Sequence, residues 1–143
     1  MVSTRGRYAL RVLIDLAEHG GGGYVPLKEI AARQGISLKY LERILPVLTA
    51  GGLVEGVHGK GGGYRLLKAP KDCTVAEVLR LTEGTLAPVA CLAEDAPRCD
   101  RCDGCRTLPM WKGYLDLTET YFAGVTVKDL ILNSEFGILN SEL

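Results

Sequence analysis

The sequence predicts a mainly α-helical fold with one small two-stranded β unit and a long late helix. Three observations predict it. Apolar residues recur at spacings of three and four in successive segments, each closed by glycine or proline. Two short β-prone runs flank a glycine-rich basic stretch, residues 58–63, just after the third such segment. Residues 108–123 then hold a periodic pattern over about four turns, a length that suits a helix and no strand.

The first helix spans residues 3–18. Tyr8, Ala9, Val12, Leu13, Leu16 and Ala17 share one face, and Ser3 or Thr4 caps it. Four glycines, Gly20 to Gly23, end it through their entropic cost. A short helix opens at Pro26-Leu27, with Leu27, Ile30 and Ala31 inward, and stops at Gly35 in a left-handed cap. Ser37 caps the third helix, whose apolar face is Leu38, Leu41, Ile44, Leu45 and Leu48. Pro46 predicts a kink or a late break within it. Strands follow at 53–57 and 64–67, and the stretch between them is a hairpin tip. It is no nucleotide-binding loop, because the Gly-Lys-Ser/Thr ending is absent. Thr74 caps a fourth helix carrying Val75, Val78, Leu79 and Leu81. Residues 84–104 read as loop, 108–123 as the long helix, and 125–132 as a last short one. The segment Ile131-Leu132-Asn133-Ser134-Glu135 recurs as Ile138-Leu139-Asn140-Ser141-Glu142, and the tail 133–143 is expected to be frayed or expression-derived.

With 143 residues and 47% hydrophobic content, the chain can fold without a staple. No apolar run is long enough to span a membrane, and the N-terminus has no secretory apolar core, so a cytoplasmic protein is expected. The zero net charge conceals a division. Residues 1–73 hold eleven Lys and Arg against six Asp and Glu, and residues 74–143 hold six against eleven. A basic front half suits a polyanion partner.

Two helices joined by a tight glycine turn form a helix-turn-helix, a pattern many paired helices share without touching DNA. The following hairpin strengthens it, because a basic tip after a helix-turn-helix makes a wing. In such a unit the second helix enters the major groove, where Ser37, Lys39, Tyr40, Glu42 and Arg43 would lie. Ser and Tyr can bond phosphates, Glu42 can accept from a cytosine amino group, and Arg43 can reach guanine or phosphate. A solvated helix face with ordinary charges is the competing reading.

The five cysteines are Cys73, Cys91, Cys99, Cys102 and Cys105. An odd count without an export signal argues against a disulfide framework. Four of them fall in one loop, and thiolates at such spacing suit an iron–sulfur cluster or zinc. Cys73 lies outside the loop and reads as a small buried hydrophobe. No Ser/His/Asp or paired-carboxylate constellation appears, so no enzyme is expected. A small iron–sulfur electron-transfer protein would leave the wing and the basic front half unexplained.

Ser-Thr-Arg-Gly-Arg-Tyr-Ala at 3–9, Gly-Ile-Ser-Leu-Lys-Tyr-Leu-Glu at 35–42 and Gly-Lys-Gly-Gly-Gly-Tyr at 59–64 resemble the Rrf-two family of winged-helix regulators. The resemblance covers residues 3–132. It implies a homodimeric transcriptional regulator, a repressor, on a palindromic double-stranded DNA operator. The long helix would pair with its partner's copy, and the wing tip, His58, Gly59, Lys60 and Gly61, would lie in the minor groove. IscR-like members carry Arg where this chain has His58.

Cluster-bearing members use three loop cysteines, which match Cys91, Cys99 and Cys105. Their fourth ligand is a His three residues after the last Cys or an acidic residue near the N-terminus. This chain has Leu108 and Arg7 there. Cys102 is the substitute at hand, with an open or small-molecule site as the alternative. A 4Fe–4S cluster is favoured over 2Fe–2S, and zinc is the alternative metal. The implied organisation is a winged helix-turn-helix at 1–83, a sensor loop at 84–107 for iron, redox state or nitric oxide, and dimerisation helices at 108–132.

Overall fold

The computed structural model describes residues 2–132, so most of the repeated tail lies outside the described residues. Among them are six α-helices and one hairpin: α1 Thr4–His19, α2 Leu27–Gln34, α3 Leu38–Ala50, β1 Val54–Val57, β2 Gly63–Leu66, α4 Val75–Glu83, α5 Leu108–Ala123 and α6 Val127–Ile131. The fold is mainly α with a small β-wing, as the periodicity predicts.

Side-chain caps start four of these helices. Ser3 accepts from the Gly6 N–H, Ser37 from Tyr40, Thr74 from Glu77 and Thr126 from Asp129. In return the Asp129 carboxylate accepts from the Thr126 N–H, closing a capping box. Gly35 ends α2 at φ 63°, the left-handed conformation that a side chain would disfavour there.

Of the kink or late break expected at Pro46, the break does not occur. The helix runs on to Ala50 because Ile44, Leu45 and Leu48 are fully buried on its inner side. Pro46 lies on the exposed side, and the carbonyl it leaves without a helical donor belongs to Glu42, itself an exposed residue. Leu38, expected on the inner face, is instead exposed at the first turn.

One core joins α1 to α4 and the hairpin. Val12, Leu13, Ile30, Leu41 and Val78 are completely buried in it, and Cys73 lies among them. Val127 of α6 enters the same core, and its N–H donates to the Cys73 carbonyl. The last short helix therefore packs back on the first module. A second apolar cluster of Val75, Leu79 and Val125, with Leu86 and Phe122 against it, ties the C-terminal end of α5 to α4.

Asp15 of α1 is 0% exposed and holds α2 in place. It accepts from Arg33 Nε and Nη2 at 3.0 and 2.8 Å and from Gln34 Nε2 at 2.8 Å. Burial opposes its charge, but Arg33 and Gln34 outweigh burial and hold the carboxyl below its ordinary range.

The wing strands pair antiparallel, with Glu55 opposite Arg65 and Gly56 opposite Tyr64. Val25 extends the ladder by exchanging backbone hydrogen bonds with Tyr64 at 2.8 and 2.9 Å. Gly63 permits this approach, since a Cβ there would stand 2.2 Å from the Val25 carbonyl oxygen. Tyr24 donates to Glu55, Arg65 pairs with the same carboxylate, and the Arg65 guanidinium lies 4.8 Å from the Tyr24 ring centroid. The wing is thus braced at its base and free at its tip.

Candidate functional site

The reading face is built from α3 outward. Ser37 Oγ accepts from the Tyr40 N–H at 3.1 Å, which leaves its hydroxyl proton free to donate. Tyr40 is half-buried and meets Tyr8 edge-on, with ring centroids 5.4 Å apart. Its ring anchors while its hydroxyl remains a polar tip. Ser37, Lys39, Glu42 and Arg43 are exposed, as are His58, Gly59, Lys60 and Gly61 at the wing tip. The groups expected at a groove are therefore presented on α3 and the wing.

Sequence reasoning missed Arg5. It lines a cleft with Tyr40, Arg43 and Val47, so a second guanidinium from α1 stands beside the reading helix. The signal was present in the resemblance at residues 3–9, but nothing local to α1 showed that its start meets α3.

The thiol site lies in the loop between α4 and α5. Cys91 sits in a single 3-10 turn, Ala90–Leu92, and Cys102 opens another, Cys102–Gly104. Cys99 precedes that turn and Cys105 follows it. All four line one cavity of about 180 Å³, together with Leu92, Arg98, Leu108 and Lys112. Thiolates are soft donors suited to iron–sulfur clusters and zinc, so the donor set fits such a group. Among the described residues no three His, Cys, Asp or Glu side chains converge tightly enough to hold a single ion. The thiols instead surround a volume.

Their environments differ. Cys105 is held below the ordinary thiol range, chiefly by its hydrogen bond with Thr107 Oγ1 at 3.4 Å and further by backbone N–H groups at the start of α5. Cys102 Sγ accepts from Arg98 Nε at 3.1 Å, and Arg98 Nη2 also pairs with Asp103 at 2.6 Å. Leu108, which stands where cluster-bearing relatives are expected to carry a His ligand, does line the cavity but offers no donor atom. Cys102 does. Cys73 lies apart from that cavity, and burial followed by the Glu77 charge pushes its thiol up to about 11. It stays protonated at neutral pH.

Along α5 no residue is buried, among the described residues. Met110, Tyr114, Leu117 and Tyr121 form an exposed apolar stripe at spacings of four, three and four, with Leu117 74% exposed. No described helix is long and apolar enough to cross a membrane.

A family model described as "Rrf2: Iron-dependent Transcriptional regulator" matches residues 2–133. Among curated relatives, "HTH-type transcriptional regulator IscR" of Photorhabdus laumondii is 35% identical over 134 residues, covering 94% of this chain and 80% of that protein. "Protein rrf2" of Nitratidesulfovibrio vulgaris is 42% identical over 110 residues, covering 77% of this chain and 73% of that protein. Among solved structures, the global cysteine regulator CymR of B. subtilis superposes with a TM-score of 0.75 at 32% identity, covering 94% of this chain and 98% of that one. T. potens IscR superposes with a TM-score of 0.71 at 34% identity, covering 94% of this chain and 88% of that one.

Proposed function

The chain belongs to the Rrf2 family of transcriptional regulators, and from that premise we propose that it is a homodimeric repressor governed by an iron–sulfur cluster in its cysteine loop. The observation that carries the proposal is the cavity lined by all four loop thiols at the start of α5. Cys91, Cys99, Cys102 and Cys105 would hold the cluster, with Cys102 supplying the donor that Leu108 lacks. Four thiolates suit either cluster type, and 4Fe–4S is taken as the first choice with 2Fe–2S the second. When bound, the group supplies reversible electron and ligand exchange that iron supply, oxidants or nitric oxide can address.

The chain's own residues convert that state into DNA affinity. A held cluster would fix residues 91–105 against α5, whose far end is anchored to α4 by Phe122 packed on the apolar cluster of Val75 and Leu79. Arg80 and Glu119 add an ion pair between the same helices at 3.7 Å. Release of the loop frees the start of α5 and with it the spacing of the two reading helices in a dimer. The stripe of Met110, Tyr114, Leu117 and Tyr121 supports pairing of α5 with its copy, since a lone chain leaves it in water. Two-fold pairing in turn calls for a palindromic operator.

On the DNA, Lys39, Arg43 and Lys60 supply phosphate attraction, Ser37 and Tyr40 position the helix, and Glu42 reads a base edge. His58, Gly59 and Gly61 bring the wing tip to the minor groove. Selection from random DNA followed by affinity measurement over a salt series tests this. Lys39→Ala is expected to weaken all sequences and to reduce the salt slope by about 0.9 per site. Glu42→Ala is expected to relax one base position. Unchanged affinity and footprint for both would overturn the groove assignment. Stoichiometric zinc without sulfide in anaerobic protein would make the loop a structural-metal site.

A further inference from the structure

Two cations line the thiol cavity beside the four cysteines: Arg98, from the loop, and Lys112, one turn into α5 from Leu108. The family resemblance assigns neither of them a role. Arg98 is directed at the site by a hydrogen bond from its Nε to Cys102 Sγ at 3.1 Å. Its other end pairs with Asp103 at 2.6 Å, which supplies a partial counter-charge.

We propose that Arg98 and Lys112 are the charge-balancing residues of this site, and that with Asp103 opposing them they set the reduction potential of the cluster. This rests on the four-thiolate reading above. Four thiolates around an oxidised core of either type leave about two surplus negative charges, and reduction adds one more electron. Cations beside the cavity stabilise the more negative, reduced state and so raise the potential. An anion does the reverse. In reduction one electron enters from a reductant such as dithionite, and no thiolate bond forms or breaks. Arg98 is 73% exposed, so salt screens part of its effect. The geometry still separates these two cations from Arg101, which sits in the same loop without lining the cavity.

The test is a dithionite titration of anaerobic protein at low ionic strength, followed by visible absorbance. Arg98→Gln and Lys112→Gln are each expected to move the midpoint to more negative values, and the double variant further. Asp103→Asn is expected to move it the opposite way. Arg98→Lys should restore most of the wild-type value, which a merely structural role for the side chain would not produce. Arg101→Gln is the control and should shift it least. Midpoints for Arg98→Gln and Lys112→Gln no lower than for Arg101→Gln would overturn the proposal while leaving the four-thiolate site intact. If Arg98→Gln holds no cluster, Lys112→Gln and Asp103→Asn decide, and both must shift in opposite directions. Wild-type protein without iron and sulfide would overturn the site itself, and this inference with it.

Discussion

The two halves of the molecule are finished to different degrees. In the first, α1 to α4 and the wing share a core in which Leu13, Ile30, Leu41 and Val78 are completely buried. Even its one fully buried carboxylate, Asp15, has three hydrogen bonds. In the second, α5 buries none of its residues among those described, and four thiols line a cavity without bonding one another. The difference teaches where each half gets its order. The reading head is held by an apolar core that its own helices supply, closed by Val127 of α6. The loop and α5 present donors and apolar surface that ask for something from outside: a metal group in one case, a second copy in the other.

The largest expected effect separates the halves outright. Cys99→Ala should abolish the visible colour of anaerobic protein while leaving thermal unfolding of the reading head unmoved. Leu41→Ala should do the reverse, destabilising the head by about 2–5 kcal/mol through a core cavity. Colour and unfolding temperature, measured on both variants, check the contrast. If Cys99→Ala also unfolds the head, the two halves are one cooperative unit and the comparison fails.

Next in size is the stripe on α5. Leu117→Glu places a charge in the centre of the proposed helix pair, and sedimentation at micromolar concentration should find monomer where the wild type is dimer. A wild-type monomer would remove the second copy from the account.

The smallest effect sharpens the first half. Asp15→Asn is expected to cost about 2 kcal/mol at neutral pH, the scale of hydrogen bonds to a charged group. The folded-state pKa lies below the ordinary 3.8, so this stability is present above that value and is lost as pH falls through the lower folded value. Denaturant midpoints of wild type and variant should therefore converge in acid. Parallel curves down to low pH would mean the carboxylate is not held by Arg33.

The sequence was most legible where local rules and packing agree. Ser37, Thr74 and Gly35 stand where caps belong, and the periodicity of α5 marked Leu108–Ala123 at both ends. At Pro46 the helix continues without the late break that propensity allows, because burial of Ile44 and Leu48 outweighs one absent hydrogen bond. The sequence marked α6 as a short helix but not where it docks, since Val127 reaches the core only after the chain has travelled out along α5 and back. The thiol cluster was legible as a spacing. Its cations were not: Arg98 stands four residues before Cys102 and Lys112 four after Leu108, but the loop carries other Arg residues, and spacing alone does not say which cations face the cavity.

The central claim is that the unfinished half controls the finished one. The direct measurement is the affinity of the same protein for its selected DNA sequence, cluster-loaded and chelator-stripped, at one salt concentration under anaerobic conditions. The account predicts that loading shifts affinity at least about tenfold, a coupling of about 1.4 kcal/mol, and that Cys99→Ala binds like the stripped protein. Equal affinity for loaded and stripped protein, with iron and sulfide counted in the loaded sample, would contradict it.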